Sequence, residues 1–242
     1  MRVLVTRPQP AAGATAARLR SIGHEAVVVP LTEAVPDLDA LRRALSRPHG
    51  AIAATSAEAA RTLAGLGHAV RDHLRTPLYA VGGATADAFR ALGFCDVRVG
   101  PGDGAGLARR IAGDARPAAP LLYLAGAPRA KTLEDGLLAA AIAVETVACY
   151  RMKPRDAAAE LAAVLAEAPV PAVLLYSAEG ARLFAGLLAG IAGARHPGAA
   201  FCLSRSVAEA LGGALESVVI AERPDEDSLL SRLGMPPPAS MG

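Results

Sequence analysis

Ala51-Ile52-Ala53-Ala54-Thr55-Ser56-Ala57-Glu58-Ala59-Ala60-Arg61 and Ala172-Val173-Leu174-Leu175-Tyr176-Ser177-Ala178-Glu179-Gly180-Ala181-Arg182 share one pattern: four apolar residues, a Ser-Ala-Glu step, then an alanine-rich segment. A short apolar run closed by serine and followed by helix formers reads as a buried strand, a helix cap and a helix. The blocks that follow also align, Tyr79-Ala80-Val81-Gly82-Gly83-Ala84-Thr85-Ala86-Asp87-Ala88-Phe89 against Phe201-Cys202-Leu203-Ser204-Arg205-Ser206-Val207-Ala208-Glu209-Ala210-Leu211. Any two alanine-rich strand-helix units look alike by composition, but two blocks in the same order point to a repeat. The chain therefore reads as two similar domains.

Outward from the repeat, short aliphatic runs alternate with segments of helical period. Strands are expected at Arg2 to Val5, Ala26 to Val29, Leu78 to Val81, Val97 to Val99, Leu121 to Leu124, Val144 to Ala148, Ala200 to Leu203 and Val218 to Ile220, with a helix at Pro10 to Ile22. Strands separated by helices of that length imply parallel sheets covered on both faces, an α/β fold. Before Ala51 there is already a complete strand-helix-strand unit that the first domain does not need, and it must pack somewhere. One economical arrangement puts it with the C-terminal third, giving a split α/β domain of residues 1–33 and 154–242 and an inserted α/β domain of residues 36–149. The crossings near Leu31 to Pro36 and Cys149 to Pro154 would form a two-strand connector, and Met235-Pro236-Pro237-Pro238-Ala239-Ser240-Met241-Gly242 reads as a disordered tail.

Composition narrows the function classes. With 242 residues, 52% hydrophobic and 20% charged, the chain has apolar material for a core and too little charge for disorder. A net charge of +2 without a basic run disfavours nucleic acid as a partner. The apolar stretch Phe184 to Ala194 is too short for a membrane span, and Arg7-Pro8 interrupts any signal-peptide h-region. The 3 cysteines, Cys95, Cys149 and Cys202, form no C-x-x-C pair, which fits a reducing cytoplasm without disulfides or a cysteine-bound metal. The 5 histidines, His24, His49, His68, His73 and His196, have no metal-ligand spacing and read as surface residues, His68 and His73 in a loop.

In an open parallel sheet, ligands bind beyond the carboxyl ends of the strands, where helix N-termini expose backbone N–H groups. The turns at that edge read Thr6-Arg7-Pro8, Thr55-Ser56-Ala57, Gly82-Gly83-Ala84-Thr85, Gly126-Ala127-Pro128-Arg129, Tyr176-Ser177-Ala178 and Ser204-Arg205-Ser206: small, hydroxylic or basic, and suited to carboxylates or phosphates. The plainer account of each hydroxyl is a helix N-cap, and Ser206-Val207-Ala208-Glu209 is itself a capping-box pattern. Gly82-Gly83 makes a tight turn but is neither a dinucleotide fingerprint nor a P-loop. Arg7 and Arg129 directly follow strands, and a solvated surface role competes with binding for both. Tyr150 lies in the second crossing. No G-x-S-x-G elbow or catalytic cysteine context is present.

Taken in order, Val3-Leu4-Val5-Thr6-Arg7-Pro8, Ala54-Thr55-Ser56-Ala57, Tyr79-Ala80-Val81-Gly82-Gly83-Ala84-Thr85-Ala86, Gly93-Phe94, Leu124-Ala125-Gly126 with Arg129, and Val147-Ala148-Cys149-Tyr150-Arg151 resemble markers of the uroporphyrinogen-III synthase family over almost the whole chain. The resemblance implies two flavodoxin-like domains joined by a two-strand ladder, with the first domain discontinuous. It implies cofactor-free cyclisation of the linear tetrapyrrole hydroxymethylbilane, with loss of water and inversion of the last pyrrole ring, in a cleft that closes over the substrate. Tyr150 matches the family tyrosine suggested to assist hydroxyl departure. Thr6, Arg7, Thr55, Ser56, Gly82, Thr85, Gly126, Arg129 and Ser177 match positions lining the family's cleft. The chain departs from the pattern at Ser204-Arg205-Ser206-Val207-Ala208, where the family has G-x-T-T-A, and at Tyr176, where it has Thr; Ser206 and Arg205 are the substitute donors. A cytoplasmic monomer is the default expectation, with transient hand-over of substrate from hydroxymethylbilane synthase as the partner reading. The rivals are a cytoplasmic two-domain binding protein or sensor without catalysis, and a sugar-nucleotide glycosyltransferase, which would need a ribose-binding carboxylate and a diphosphate site.

Overall fold

Buried apolar strands and one-sided helices account for the architecture seen in the computed structural model, which describes residues 1–114, 119–191 and 196–234. The elements run β1 (Arg2–Val5), α1 (Ala11–Ser21), β2 (Glu25–Val28), β3 (Thr32–Pro36), α2 (Leu38–Leu45), β4 (Ala51–Ala54), α3 (Ala57–Ala64), β5 (Leu78–Ala80), α4 (Gly83–Ala91), β6 (Val97–Val99), α5 (Gly104–Gly113) and β7 (Leu121–Ala127). They continue with α6 (Thr132–Ala139), β8 (Val144–Pro154), α7 (Ala158–Glu167), β9 (Ala172–Leu175), α8 (Ala178–Gly190), β10 (Ala199–Cys202), α9 (Arg205–Ala210), β11 (Val218–Ile220) and α10 (Glu226–Ser231). Short 3₁₀ helices occupy Gly67–His73 and Arg232–Gly234. The first of these corrects the loop expected around His68 and His73. The tail from 235 to 242, expected to be disordered, lies outside the described residues.

The chain divides into two units, Met1–Glu33 with Lys153–Gly242, and Ala34–Met152, so it passes between them inside β3 and β8. The split unit holds a five-stranded sheet in the order β11-β10-β9-β1-β2, every pairing parallel. In chain order this is 2-1-3-4-5, the flavodoxin-like arrangement. The inserted unit has the order β3-β8-β7-β4-β5-β6, with the β8-β7, β7-β4, β4-β5 and β5-β6 pairings parallel. Starting its count at β7 gives 2-1-3-4-5 again, so β7, β8, β4, β5 and β6 stand where β1, β2, β9, β10 and β11 stand in the split unit. The inserted unit is thus a circular permutation of the split one. That explains the N-terminal strand-helix-strand unit: β1-α1-β2 is the counterpart of β7-α6-β8, supplied from the other end of the unit.

Both sheets carry apolar side chains on both faces, as parallel sheets between helices must. In β4 the alternation sends Ile52 and Ala54 to one core cluster with Leu63, Leu78 and Phe89, and Ala51 and Ala53 to the other with Leu107 and Leu137. In β1, Leu4 packs with Phe184 and Leu161 while Val3 and Val5 pack with Leu19 and Leu229. Small alanines in the strands let the helices approach closely, and the few aromatic rings fill the larger gaps; Phe89 and Phe94 meet edge to face at 5.4 Å. Among the described residues, no helix is long and apolar enough to cross a membrane.

Candidate functional site

The 2-1-3-4-5 order reverses direction between its strands 1 and 3, and the crevice beyond their carboxyl ends is where such sheets bind ligands. In the inserted unit that switch point lies between β7 and β4; in the split unit it lies between β1 and β9. The turns after β4, β1 and β9 carry Thr55-Ser56, Thr6-Arg7 and Tyr176-Ser177; β7 runs on to Ala127, beyond the end expected at Leu124, so Gly126 is its last residue but one and only Pro128-Arg129 lie in the turn. Each unit therefore gathers one arginine and several hydroxyls at its own switch point.

In the inserted unit, the Thr55 hydroxyl and the Tyr123 hydroxyl lie 2.7 Å apart. Ser56 caps α3, its Oγ accepting from the Glu58 N–H at 3.1 Å, so the plain capping role is real. Tyr150 projects from β8 across β7, with its ring directly over Gly126: a Cβ there would meet Tyr150 Cζ at 2.5 Å and its hydroxyl oxygen at 2.6 Å. A register shift between Ala125 and Gly126 brings Gly126 opposite Tyr150. Burial, the largest influence, pushes the pKa of this phenol above the ordinary value, against the nearby Ser56 side chain, which favours the ionised form. Tyr123 is raised for the same reason. Arg129 donates from Nε to Glu134 Oε1 at 2.8 Å, while Glu134 Oε2 is buried without a hydrogen-bond partner. One turn further along the edge, Gly82 opens α4 with no side chain in the way, and Thr85 is buried in its first turn.

In the split unit, Thr6 is buried and its hydroxyl donates to the Leu174 carbonyl at 2.8 Å, tying β1 to β9 at the switch point. Arg7 lies over the Tyr176 ring, 4.2 Å from its centroid, and donates to Glu226 Oε1 at 2.9 Å. The same oxygen accepts from the Thr15 hydroxyl at 2.5 Å and the Tyr176 hydroxyl at 2.8 Å, and Oε2 accepts from Arg18 at 2.7 Å. Burial raises the Glu226 carboxyl, but the Thr15 and Tyr176 hydrogen bonds with the arginine charges outweigh it and leave the pKa below the ordinary value. Burial likewise pushes the Tyr176 phenol up. Ser177 caps α8, accepting from the Gly180 N–H at 3.1 Å. Ser206 and Arg205 are exposed at the next turn.

Two expectations are corrected. Ser206 does not cap a helix: Ser204 stands at the N-cap of α9, ahead of where the capping-box pattern places it, and its hydroxyl lies 3.0 Å from that of Ser206. That register turns Val207, the departure from the family pattern, into the apolar core beside Leu211. His49 is not a surface residue; its side chain is 5% exposed and its Nε2 lies 3.1 Å from Glu145. Sequence reasoning missed Tyr123, Glu134, Thr15, Arg18 and Glu226. Glu226 lies in the acidic run Asp225-Glu226-Asp227, which begins two residues after Arg223, and nothing local distinguishes it from surface charge.

Two permuted copies of a doubly wound unit, each with hydroxyls and an arginine at its switch point, define a two-unit α/β protein of the flavodoxin-like class. The family model described as Uroporphyrinogen-III synthase HemD matches residues 13–231, and the chain belongs to that family. The match carries the family's synthase function and its place in tetrapyrrole biosynthesis. Among solved structures, the chain is similar to uroporphyrinogen-III synthetase from Helicobacter pylori, with a TM-score of 0.64 and 17% identity over 96% of this chain and 98% of that one. It is also similar to a mutant uroporphyrinogen III synthase from the extremely thermophilic bacterium Thermus thermophilus, with a TM-score of 0.54 and 19% identity over 96% of this chain and 97% of that one. At these identities the likeness shows the fold. Comparison with curated proteins gives no match.

Proposed function

We propose that the chain closes hydroxymethylbilane to uroporphyrinogen III as a cofactor-free hydro-lyase in the cytoplasm, acting as a monomer on substrate passed from hydroxymethylbilane synthase. The observation that carries this reading is the placement of Tyr150. Its neutral phenol lies over Gly126 and reaches the switch point of the inserted unit, beside Ser56. A phenol kept protonated there can hydrogen-bond to the hydroxyl on the first pyrrole ring as it departs with a proton as water. The azafulvene cation left behind is attacked by the substituted carbon of the last ring; the spiro intermediate fragments and recloses with that ring inverted.

The substrate is reactive without the enzyme and closes on its own to the uninverted isomer, so most of the chemistry is positioning. An acetate and a propionate on every ring give the bilane many carboxylates to hold. Donors fixed by strand ends and helix caps suit that task, because they need no reorganisation when the anion arrives. On this reading Thr6, Arg7, Thr55, Ser56, Gly82, Thr85, Gly126, Arg129, Ser177 and Ser206 contribute side-chain or backbone donors, and Tyr150 alone contributes to the chemical step. The test is a coupled assay that generates hydroxymethylbilane in place, oxidises the products and separates the type I and type III uroporphyrin isomers. Type III product is expected. Type I product at the uncatalysed rate would refute the proposal and favour a binding protein on this fold.

A further inference from the structure

Glu226 is the most fully satisfied carboxylate among the described residues. Its two oxygens accept from two guanidinium groups and two hydroxyls, those of Arg7, Arg18, Thr15 and Tyr176. A carboxylate has about four acceptor positions, so this donor set is what a receptor for a free carboxylate would present. The donors come from separate elements: Arg7 from the turn after β1, Thr15 and Arg18 from α1, and Tyr176 from the turn after β9. They converge at the place where the sheet topology puts a ligand.

The donors are also held independently of Glu226. The Tyr176 ring supports the Arg7 guanidinium at 4.2 Å, Arg18 has a second partner in Asp227, and Thr15 is wholly buried in α1. Glu226 itself is the first residue of the six-residue α10, which follows the exposed run Glu222 to Pro224. The rest of α10 is anchored by Leu229 and Leu230 in the core and by the Asp225 cap on Ser228. Rotation of one side chain would therefore free the donors without moving the helix.

We propose that Arg7, Arg18, Thr15 and Tyr176 form a carboxylate-binding site that Glu226 occupies in the free protein and yields to a carboxylate of the ligand. The site takes an alkyl monocarboxylate group, of which an acetate or propionate arm is an instance; that the arm belongs to the substrate rests on the function proposed above. Exchange of one carboxylate for another keeps the arginines paired throughout, so neither is left buried and uncompensated.

The test uses the whole chain and sodium propionate, with sodium chloride at equal ionic strength as the control. Glu226→Ala empties the site, and its melting temperature is expected to rise by about 2–4 °C at saturating propionate. The wild type, whose site is filled, is expected to respond no more than to chloride. Arg7→Ala combined with Glu226→Ala is expected to lose the response. If Glu226→Ala melts without a cooperative transition, refolding yield replaces melting temperature, with recovery by propionate but not chloride as the expected result. Removing the internal competitor is also expected to lower the KM for bilane several-fold in Glu226→Ala with kcat little changed. Absence of a propionate response, a response that survives loss of Arg7, or an unchanged or raised KM would each overturn the proposal. The propionate arm involves no turnover; a wild-type chain yielding only type I product would count against the synthase reading and leave propionate binding to decide the site alone.

Discussion

Gly126→Ala tests whether Tyr150 owes its position to a missing side chain. A Cβ at residue 126 would stand 2.5 Å from Tyr150 Cζ, 2.6 Å from its hydroxyl oxygen and 2.7 Å from Cε2. Non-bonded carbons settle at about 3.5–4.0 Å, so the ring must move by about 1 Å or the strands must part. The backbone itself raises no objection, since residue 126 is absent from the left-handed positions of this chain. Overpacking of this kind costs about 1–3 kcal/mol, and a catalytic group misplaced by about 1 Å loses about 100-fold in rate. Urea denaturation and the isomer-resolved assay measure the two effects separately. The decisive comparison is with Tyr150→Ala, which removes the ring that the new methyl would strike. Gly126→Ala should then cost little stability, giving a coupling energy of about 1–3 kcal/mol between the two positions. Equal destabilisation in both backgrounds, or wild-type turnover in the single variant, would refute the steric argument.

Tyr150→Phe should lower type III formation while leaving the unfolding free energy within about 1 kcal/mol of wild type, since only the hydroxyl is lost and the packing is kept; unchanged turnover would remove the phenol from the mechanism. Ser177→Ala should destabilise the split unit by about 1 kcal/mol through loss of the α8 cap, read as a shifted midpoint, whereas Ser177→Asp should restore it. Acid should weaken the split unit through Glu226: its folded pKa is depressed, so the stabilisation is complete above the unfolded carboxylate range and disappears as pH falls through the lower folded value. Denaturant midpoints measured between about pH 6 and 3 should fall less steeply in Glu226→Gln than in wild type.

The α/β class was legible because parallel strands buried on both faces read as unbroken apolar runs, as at Ala51 to Ala54 and Ala172 to Leu175. The turn residues were legible because serine caps such as Ser56 and Ser177 mark strand-to-helix junctions, the very edge at which such sheets bind ligands. What pairs with those residues was not legible. Arg18 and Glu226 are 208 positions apart, and nothing local marks either as more than surface charge. Glu134 sits only five residues from Arg129, yet a helical carboxylate near an arginine is common on solvated faces. The overlap of Tyr150 with Gly126 depends on a one-residue shift between β7 and β8, and apolar patterning does not encode such a shift. His49 was misread because its partner, Glu145, arrives from a strand 96 residues later.

Splitting one unit around the other also dictates the order in which the newborn chain can fold. β1 lies in its sheet between β2 and β9, so a strand made early waits for one that begins at Ala172. At typical elongation rates that wait lasts on the order of ten seconds. The inserted unit, Ala34–Met152, is by then complete in sequence. Synthesis therefore runs from the N-terminus while structure forms from the middle, and the apolar face of β1-α1-β2 must stay soluble, or be shielded by a chaperone, until its distant neighbour emerges.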